Sequence, residues 1–335
     1  MMTTNSSIDD VVSALGSVGG LTLHRAVPAA TLCTYRVGGP LALLIRVETL
    51  AALAEVASVL SRAQLRVVVI GKGSNMLVAD EGFDGVAIIL EGDFEAIHIE
   101  DTLLSVGAAA ALPITARATV SADLTGFEWA VGVPGTIGGA VRMNAGGHGS
   151  DMAASLVDVD VADLQTGDIT TRSVDSLDLA YRYSNLGSHE LVVQARLRLE
   201  RLREDQNGQQ ETDTNDGSLG AELLREIVGW RREHQPGGAN AGSVFTNPEG
   251  DSAGRLIDSA GLKGHRIESA EISPKHANFI QADPDGRAND VMALMIHVVE
   301  IVEARFGIRL HAETRLIGFD PEVVAMVQQS EVEIE

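Results

Sequence analysis

Apolar positions along the chain follow two periods, one near 3.6 and one of 2. Residues 11–20 read as a short helix stopped by Gly19-Gly20. Residues 41–47 read as a strand, and an Ala, Leu and Val stretch from 50 to about 63 predicts a helix. A β-rich run over 66–70 enters the turn Gly71-Lys72-Gly73-Ser74-Asn75, so the first 80 residues predict a small βαβ unit. From 85 to 200, short strands at 86–90, 103–106, 156–161 and 191–199 alternate with Gly-rich loops and one helix near 112–122. In the last strand Leu191, Val193, Ala195, Leu197 and Leu199 share one face, as period 2 requires.

The pattern then breaks. Residues 204–216 hold Glu204, Asp205, Glu211, Asp213 and Asp216 with no basic and no apolar residue, which predicts a linker with nothing to bury. A helix follows over about 221–232. Asn289 or Asp290 is placed to cap a helix running to 305 and closed by Gly307. A strand is expected over 308–319, with Ile308, Leu310, Ala312, Thr314 and Leu316 on one face and Arg309, His311, Glu313 and Arg315 on the other. After Phe319 the acids Asp320, Glu322, Glu331, Glu333 and Glu335 make an acidic tail.

Composition narrows the function classes. At 335 residues, 45% hydrophobic and 21% charged, the chain is long enough for two to three domains and is not a disordered chain. Lys and Arg number 25 against 47 Asp and Glu, a net charge of −22, which disfavours nucleic acid and anionic membrane as partners. An anionic small substrate would need its own local Arg, Lys and N–H donors. Cys33 is the only cysteine, which excludes an internal disulfide and fits a reducing compartment. The polar, acidic N-terminus has no signal-peptide pattern, and no run of about 18 apolar residues occurs. A cytoplasmic protein is expected. The nine His residues show no HExxH spacing, and no metal is expected.

Several segments could carry chemistry. The 71–75 turn is either a plain turn or a phosphate cradle; it is not a Rossmann fingerprint, since Met76 stands at the sixth position and strand follows. Residues 132–141, Gly-Val-Pro-Gly-Thr-Ile-Gly-Gly-Ala-Val, and then Asn144-Ala145-Gly146-Gly147 suggest backbone packed against an extended ligand such as a dinucleotide. Tyr181-Arg182-Tyr183-Ser184 precedes a core strand; stacking and ion pairing alone would account for that arginine. Ser243, in Asn240-Ala241-Gly242-Ser243-Val244-Phe245-Thr246-Asn247-Pro248, follows Gly in a turn, but Phe245 excludes the G-x-S-x-G hydrolase elbow. Glu313 between two arginines on a strand is either a solvated face or a site.

Together these segments, with Thr34-Tyr35-Arg36-Val37-Gly38-Gly39, resemble the UDP-N-acetylenolpyruvoylglucosamine reductase (MurB) family in order and spacing, from about 31 to 319. The resemblance implies an α+β chain with an FAD-binding fold of the PCMH, or vanillyl-alcohol-oxidase, type. Two FAD-binding subdomains (21–80 and 81–203) would follow an N-terminal segment (1–20). A linker (204–217), a C-terminal α/β substrate domain (218–320) and the acidic tail (321–335) would complete the chain. It implies NADPH-dependent reduction of UDP-N-acetylglucosamine enolpyruvate to UDP-N-acetylmuramate in peptidoglycan precursor synthesis. The FAD would be non-covalent: some relatives attach flavin through His or Cys, and the 71–75 turn has neither, although His148 is near the second segment.

By the same resemblance Arg182, Ser243 and Glu313 are catalytic. Arg182 would be a fixed cation at the substrate carboxylate, Glu313, protonated, a second donor, and Ser243 the proton donor to the α-carbon. Tyr35, Gly71, Gly73, Ser74, Asn75, Pro134, Gly135, Ile137, Gly138, Gly139, Asn144, Ala145 and Gly146 would contact the cofactor. Arg231, Asn247, Lys275 and Arg315 would contact the substrate. All three tyrosines lie at or before Tyr183, as in the class that lacks an extra tyrosine-bearing loop. Two positions depart from the family: His234 and Thr246 each stand where a Lys is usual, removing positive charge near the nucleotide. The oligomeric state is open, with a monomer as the expectation. Two other readings remain, another flavin oxidoreductase of the same superfamily and a non-catalytic nucleotide-binding module. Product analysis would separate the first and NADPH oxidation the second.

Overall fold

The structure is a computed structural model that describes residues 7–202 and 219–328. The expected acidic linker and the acidic residues beyond 328 lie outside the described residues. The chain forms two compact units: Met1–Leu23, Ile45–Gly71 and Ile88–Glu233 make the first, and His24–Leu44, Lys72–Ala87 and His234–Glu335 the second. This division runs across the expected continuous segments, since residues 24–44 and 72–87 join the C-terminal part and the helix Leu219–His234 joins the first unit.

The first helix is Ile8–Leu15, earlier than the 11–20 expected. Ser7 and Asp10 form a capping box: Ser7 Oγ accepts from the Asp10 N–H and the Asp10 carboxylate accepts from the Ser7 N–H at 2.7 Å. The helix Leu50–Ala63 has the expected bounds, capped by Thr49. The βαβ unit needs correction. In its four-stranded sheet, Phe83–Leu90 lies between Pro40–Val47 and Val67–Val69, with Leu21–Pro28 at the far edge. Nearly every residue of Phe83–Leu90 is buried, as a central strand covered on both faces requires. Leu21–Pro28 has no buried residue, so its pattern carries little strand signal.

The first unit also holds an antiparallel five-stranded sheet in the order Ile169–Ser173, Leu156–Asp163, Glu190–Arg198, Leu103–Gly107, Ile97–Glu100. Leu191, Val193, Ala195 and Leu197 are buried as the alternation predicts, and Val192 joins them beside a register shift in the partner strand. Arg196, on the other face, pairs with Asp158 and Asp160.

In the second unit the helix Ala288–Phe306 ends at Gly307 as expected, with φ +68°. Its start differs. Neither Asn289 nor Asp290 caps it. Asp80 does so from a distant part of the chain, accepting from the Ala288 N–H at 2.8 Å and the Asn289 N–H at 3.1 Å. Asp290 is engaged by the Ser269 N–H and hydroxyl instead. The expected strand over 308–319 is regular only at Arg315–Ile317, parallel to Met76–Val78. Upstream, its backbone is shared out among other segments: Ala312 N–H donates to Val327 and Glu313 N–H to Val244. Residues 321–328 are not a loose tail, because Asp320 caps the helix Pro321–Ala325 and Val327 is buried. Among the described residues no helix is long and apolar enough to cross a membrane.

Candidate active site

In the first unit, the glycine-rich run serves the fold as much as any ligand. A Cβ on Gly71 would lie 2.7 Å from Thr136 Oγ1, one on Gly138 3.0 Å from Ala108 Cβ, and one on Gly146 2.6 Å from the Ser150 carbonyl. Ile137 is fully buried, so it anchors the run instead of facing outward. Gly139 and Gly147 are different. A Cβ on Gly139 meets nothing closer than 3.6 Å and one on Gly147 meets nothing within 4 Å. Pro134 is exposed, and Gly135 and Ala145 are half-buried. At Gly139 and Gly147 the missing Cβ leaves room for an extended ligand to approach the backbone closely. The same unit holds an arginine, Arg231, that makes no hydrogen bond or ion pair among the described residues. Bare glycine backbone and an unpaired cation fit an anionic dinucleotide such as FAD.

Asn144, expected at the cofactor, has its side chain hydrogen-bonded inside the protein. Its amide NH₂ donates to Ala180 O at 3.1 Å and to Asp151 Oδ2 at 3.2 Å, and its Oδ1 accepts from the Ala153 N–H at 3.0 Å. Three of the four hydrogen-bonding positions of this buried side chain are used inside the protein. The bond to Ala180 ties the glycine run to the arginine turn. Ala180 and Tyr183 exchange two backbone hydrogen bonds at 3.1 Å, and Arg182 sits between them at φ +58°. Its guanidinium lies 5.3 Å from the Tyr181 ring centroid. Ser184 Oγ donates to the Arg142 carbonyl at 2.7 Å. The Arg142 guanidinium donates to the carbonyls of Leu186, Gly187 and Glu190. The Arg182 turn is therefore pinned at both ends.

In the second unit, Gly73 is obligatory: at φ +60° its Cβ would fall 2.1 Å from the Leu32 carbonyl. Ser74 is half-buried. Asn75 brackets Glu313, its Nδ2 donating to Glu313 O at 3.0 Å and its carbonyl accepting from the Arg315 N–H at 3.0 Å. Glu313 N–H donates to Val244 O at 2.8 Å, so the Ser243 and Glu313 segments are hydrogen-bonded neighbours. Gly242, at φ +78°, makes the turn that presents Ser243, and its N–H donates to Asn240 Oδ1.

The other flank of this segment is held by Asn278, which the sequence reading missed. Its carbonyl accepts from the Val244 N–H at 2.9 Å. Its side-chain Oδ1 accepts from the Phe245 N–H at 3.0 Å, and its Nδ2 donates to Phe245 O at 2.8 Å. The signal was slight, one polar residue between Ala277 and Phe279-Ile280. Next to it, burial pushes the His276 imidazole below its usual titration range, which keeps Nδ1 free to accept from the Asn278 N–H at 3.3 Å.

Tyr35, expected at the cofactor, is fully buried in the second unit, and its hydroxyl has no hydrogen-bond partner among the described residues. Asn247 accepts from the Ala253 N–H at 3.1 Å; it, Lys275 and Arg315 are exposed and lie in the second unit. Arg231 belongs to the first unit and lies beside Gly132. Thr246 spends its hydroxyl and N–H on the His311 carbonyl, at 3.2 and 2.9 Å. His234 ends its helix exposed.

Residues 41–173 match the FAD binding domain family. With its mixed helices and sheets, the protein is an α+β flavoprotein. Residues 234–317 match the C-terminal domain of UDP-N-acetylenolpyruvoylglucosamine reductase. The chain is 40% identical over 308 residues to the UDP-N-acetylenolpyruvoylglucosamine reductase of Synechococcus sp. WH7803, covering 89% of this chain and 94% of that one. It is 36% identical over 301 residues to reductase 2 of Symbiobacterium thermophilum, covering 89% and 93%. The crystal structure of MurB from Thermus caldophilus superposes with a TM-score of 0.74 at 33% identity, covering 89% of this chain and 99% of the other. The chain belongs to the UDP-N-acetylenolpyruvoylglucosamine reductase family.

Proposed function

We propose that this protein reduces UDP-N-acetylenolpyruvoylglucosamine to UDP-N-acetylmuramate with NADPH, as a step of peptidoglycan precursor synthesis in the cytoplasm. The observation that carries the reading is the Glu313 N–H to Val244 O bond, which joins the segments of the two proton-bearing residues in one unit. Bound FAD would supply the redox chemistry, the transfer of a hydride between NADPH and the β-carbon of the enolpyruvyl group. Backbone at Gly71, Gly73, Ser74, Asn75, Pro134, Gly135, Gly138, Gly139, Ala145 and Gly146 would hold it.

The protein's own residues handle charge and protons. Hydride addition drives negative charge onto the substrate carboxylate. Arg182, held in a rigid turn, places a fixed cation there, and a donor that needs no reorganisation is worth most at that moment. Glu313 supplies a second donor. Ser243 gives its hydroxyl proton to the α-carbon. Asn247, Lys275 and Arg315 bind the UDP-sugar, and a single chain carries the full set.

The purified protein should be yellow, NADPH should bleach it, and the enolpyruvyl sugar should restore the colour with UDP-N-acetylmuramate as product. A colourless protein without affinity for FAD would refute the reading, as would recovery only with some other substrate.

Asn278 gives a second test. Asn278→Ala removes two side-chain hydrogen bonds from a buried site, each worth about 1 kcal/mol net, and leaves the Phe245 groups unpaired. The denaturant midpoint should drop. Recovery with the enolpyruvyl sugar should slow about tenfold at saturating substrate, which corresponds to about 1.4 kcal/mol, while bleaching by NADPH keeps its rate. Equal slowing of both would show a general structural role only.

A further inference from the structure

Gly132 is small because an arginine crosses it. A Cβ there would lie 2.5 Å from Arg231 Cδ and 3.4 Å from its Nη1, and 3.0 Å from Ile227 on the same helix. Arg231 thus reaches from the last turns of Leu219–His234 across the start of the glycine run. Burial lowers its affinity for its proton, and no carboxylate among the described residues pairs with it. Its titratable neighbour is His148, which burial and then the Arg231 charge push below the usual imidazole range, so no compensating negative charge comes from there. His148 packs edge-on against Trp230, ring centroids 5.1 Å apart.

Arg231 is half-buried, and a cation partly taken out of water without a partner opposes folding. Glycine at 132 makes room for that cation, so the arrangement suits an anion the protein itself does not provide. The first unit has room for close ligand approach at Gly139 and Gly147, and FAD has one strongly anionic part, its diphosphate. The planar guanidinium fork matches phosphate oxygens. Arg231 lies outside both matched segments, 41–173 and 234–317, so neither assigns it.

We propose that Arg231 is a cofactor residue that neutralises the diphosphate of bound FAD, seated across Gly132, and not a substrate contact. The proposal rests on the reading that this chain holds FAD. It makes two expectations of opposite sign. Arg231→Met keeps an apolar stem over Gly132 and removes the charge. In the full-length protein stripped of flavin, this variant should melt at the same or a higher temperature than the wild type. Titrated with FAD and followed by flavin fluorescence, it should bind about 10- to 100-fold more weakly, the range of a lost charge-assisted hydrogen bond. Riboflavin, which lacks the diphosphate, should bind both proteins equally. Arg231→Lys should recover part of the FAD affinity.

Unchanged FAD affinity in Arg231→Met would overturn the proposal. So would equal weakening of FAD and riboflavin, or a lower melting temperature of the flavin-free variant, since each points to packing. If the wild type itself bound no FAD, the proposed function would fail first, an outcome distinct from any difference between variants.

Discussion

Ser243→Ala should leave bleaching of the flavin by NADPH near its wild-type rate and slow recovery with the enolpyruvyl sugar by about 10²–10⁴-fold, the usual worth of a general acid–base group. The substitution is local. Val244 and Phe245 are held by Asn278, and Val244 also accepts from Glu313, so the backbone keeps its course when one hydroxyl is removed. Reduction by NADPH needs no proton on a substrate carbon, and only the second half loses its donor. Ser243→Cys should restore part of the rate, because a thiol also carries a transferable proton. Stopped-flow absorbance resolves the two halves, and saturation with substrate separates weak binding from slow chemistry. If both halves slowed alike, the hydroxyl would be a structural group and the assigned role would be wrong.

What the sequence revealed and what it hid follow from the range of the interactions. The helix Leu50–Ala63 and the strand Glu190–Arg198 are written in local periodicity, so their place and their buried faces could be read directly. The glycine run was legible as a place of close backbone approach, but its partners were not: Gly71 meets Thr136 and Gly138 meets Ala108. Long-range pairings left no local trace. Asp80 caps a helix 208 residues further on, and Asn75 brackets Glu313 across 238 residues. The reading gave the cap to Asn289 or Asp290 because they are adjacent in sequence. Asn144 stood out by its place in the motif, but its side-chain hydrogen bonds to Asp151, Ala153 and Ala180 could not be read from it. Residue type and spacing nominated the candidate site; which side chains hold the backbone and which are left over is decided by tertiary packing.

Arg182→Gly should part stability from activity. Arg182 has φ +58°, in a turn closed by the paired hydrogen bonds of Ala180 and Tyr183. A side chain there costs about 1–2 kcal/mol, and glycine removes that strain while adding about 0.5–1 kcal/mol of chain entropy to the unfolded state. The two nearly cancel, so the melting temperature should equal or slightly exceed that of the wild type. Strain of this kind persists where the surroundings over-determine it, and here Asn144 and Arg142 do so. Activity should move the other way. Loss of a preorganised donor at developing charge typically costs about 10²–10³-fold, which would appear in recovery with the enolpyruvyl sugar and not in bleaching by NADPH. Arg182→Lys should fall between, since it restores a charge without the planar fork and keeps the backbone strain. Tyr181→Ala, which removes only the ring 5.3 Å from the guanidinium, should cost much less. A marked fall in the melting temperature of Arg182→Gly would mean that the arginine is held for the fold. Wild-type recovery in that variant would remove it from the chemistry.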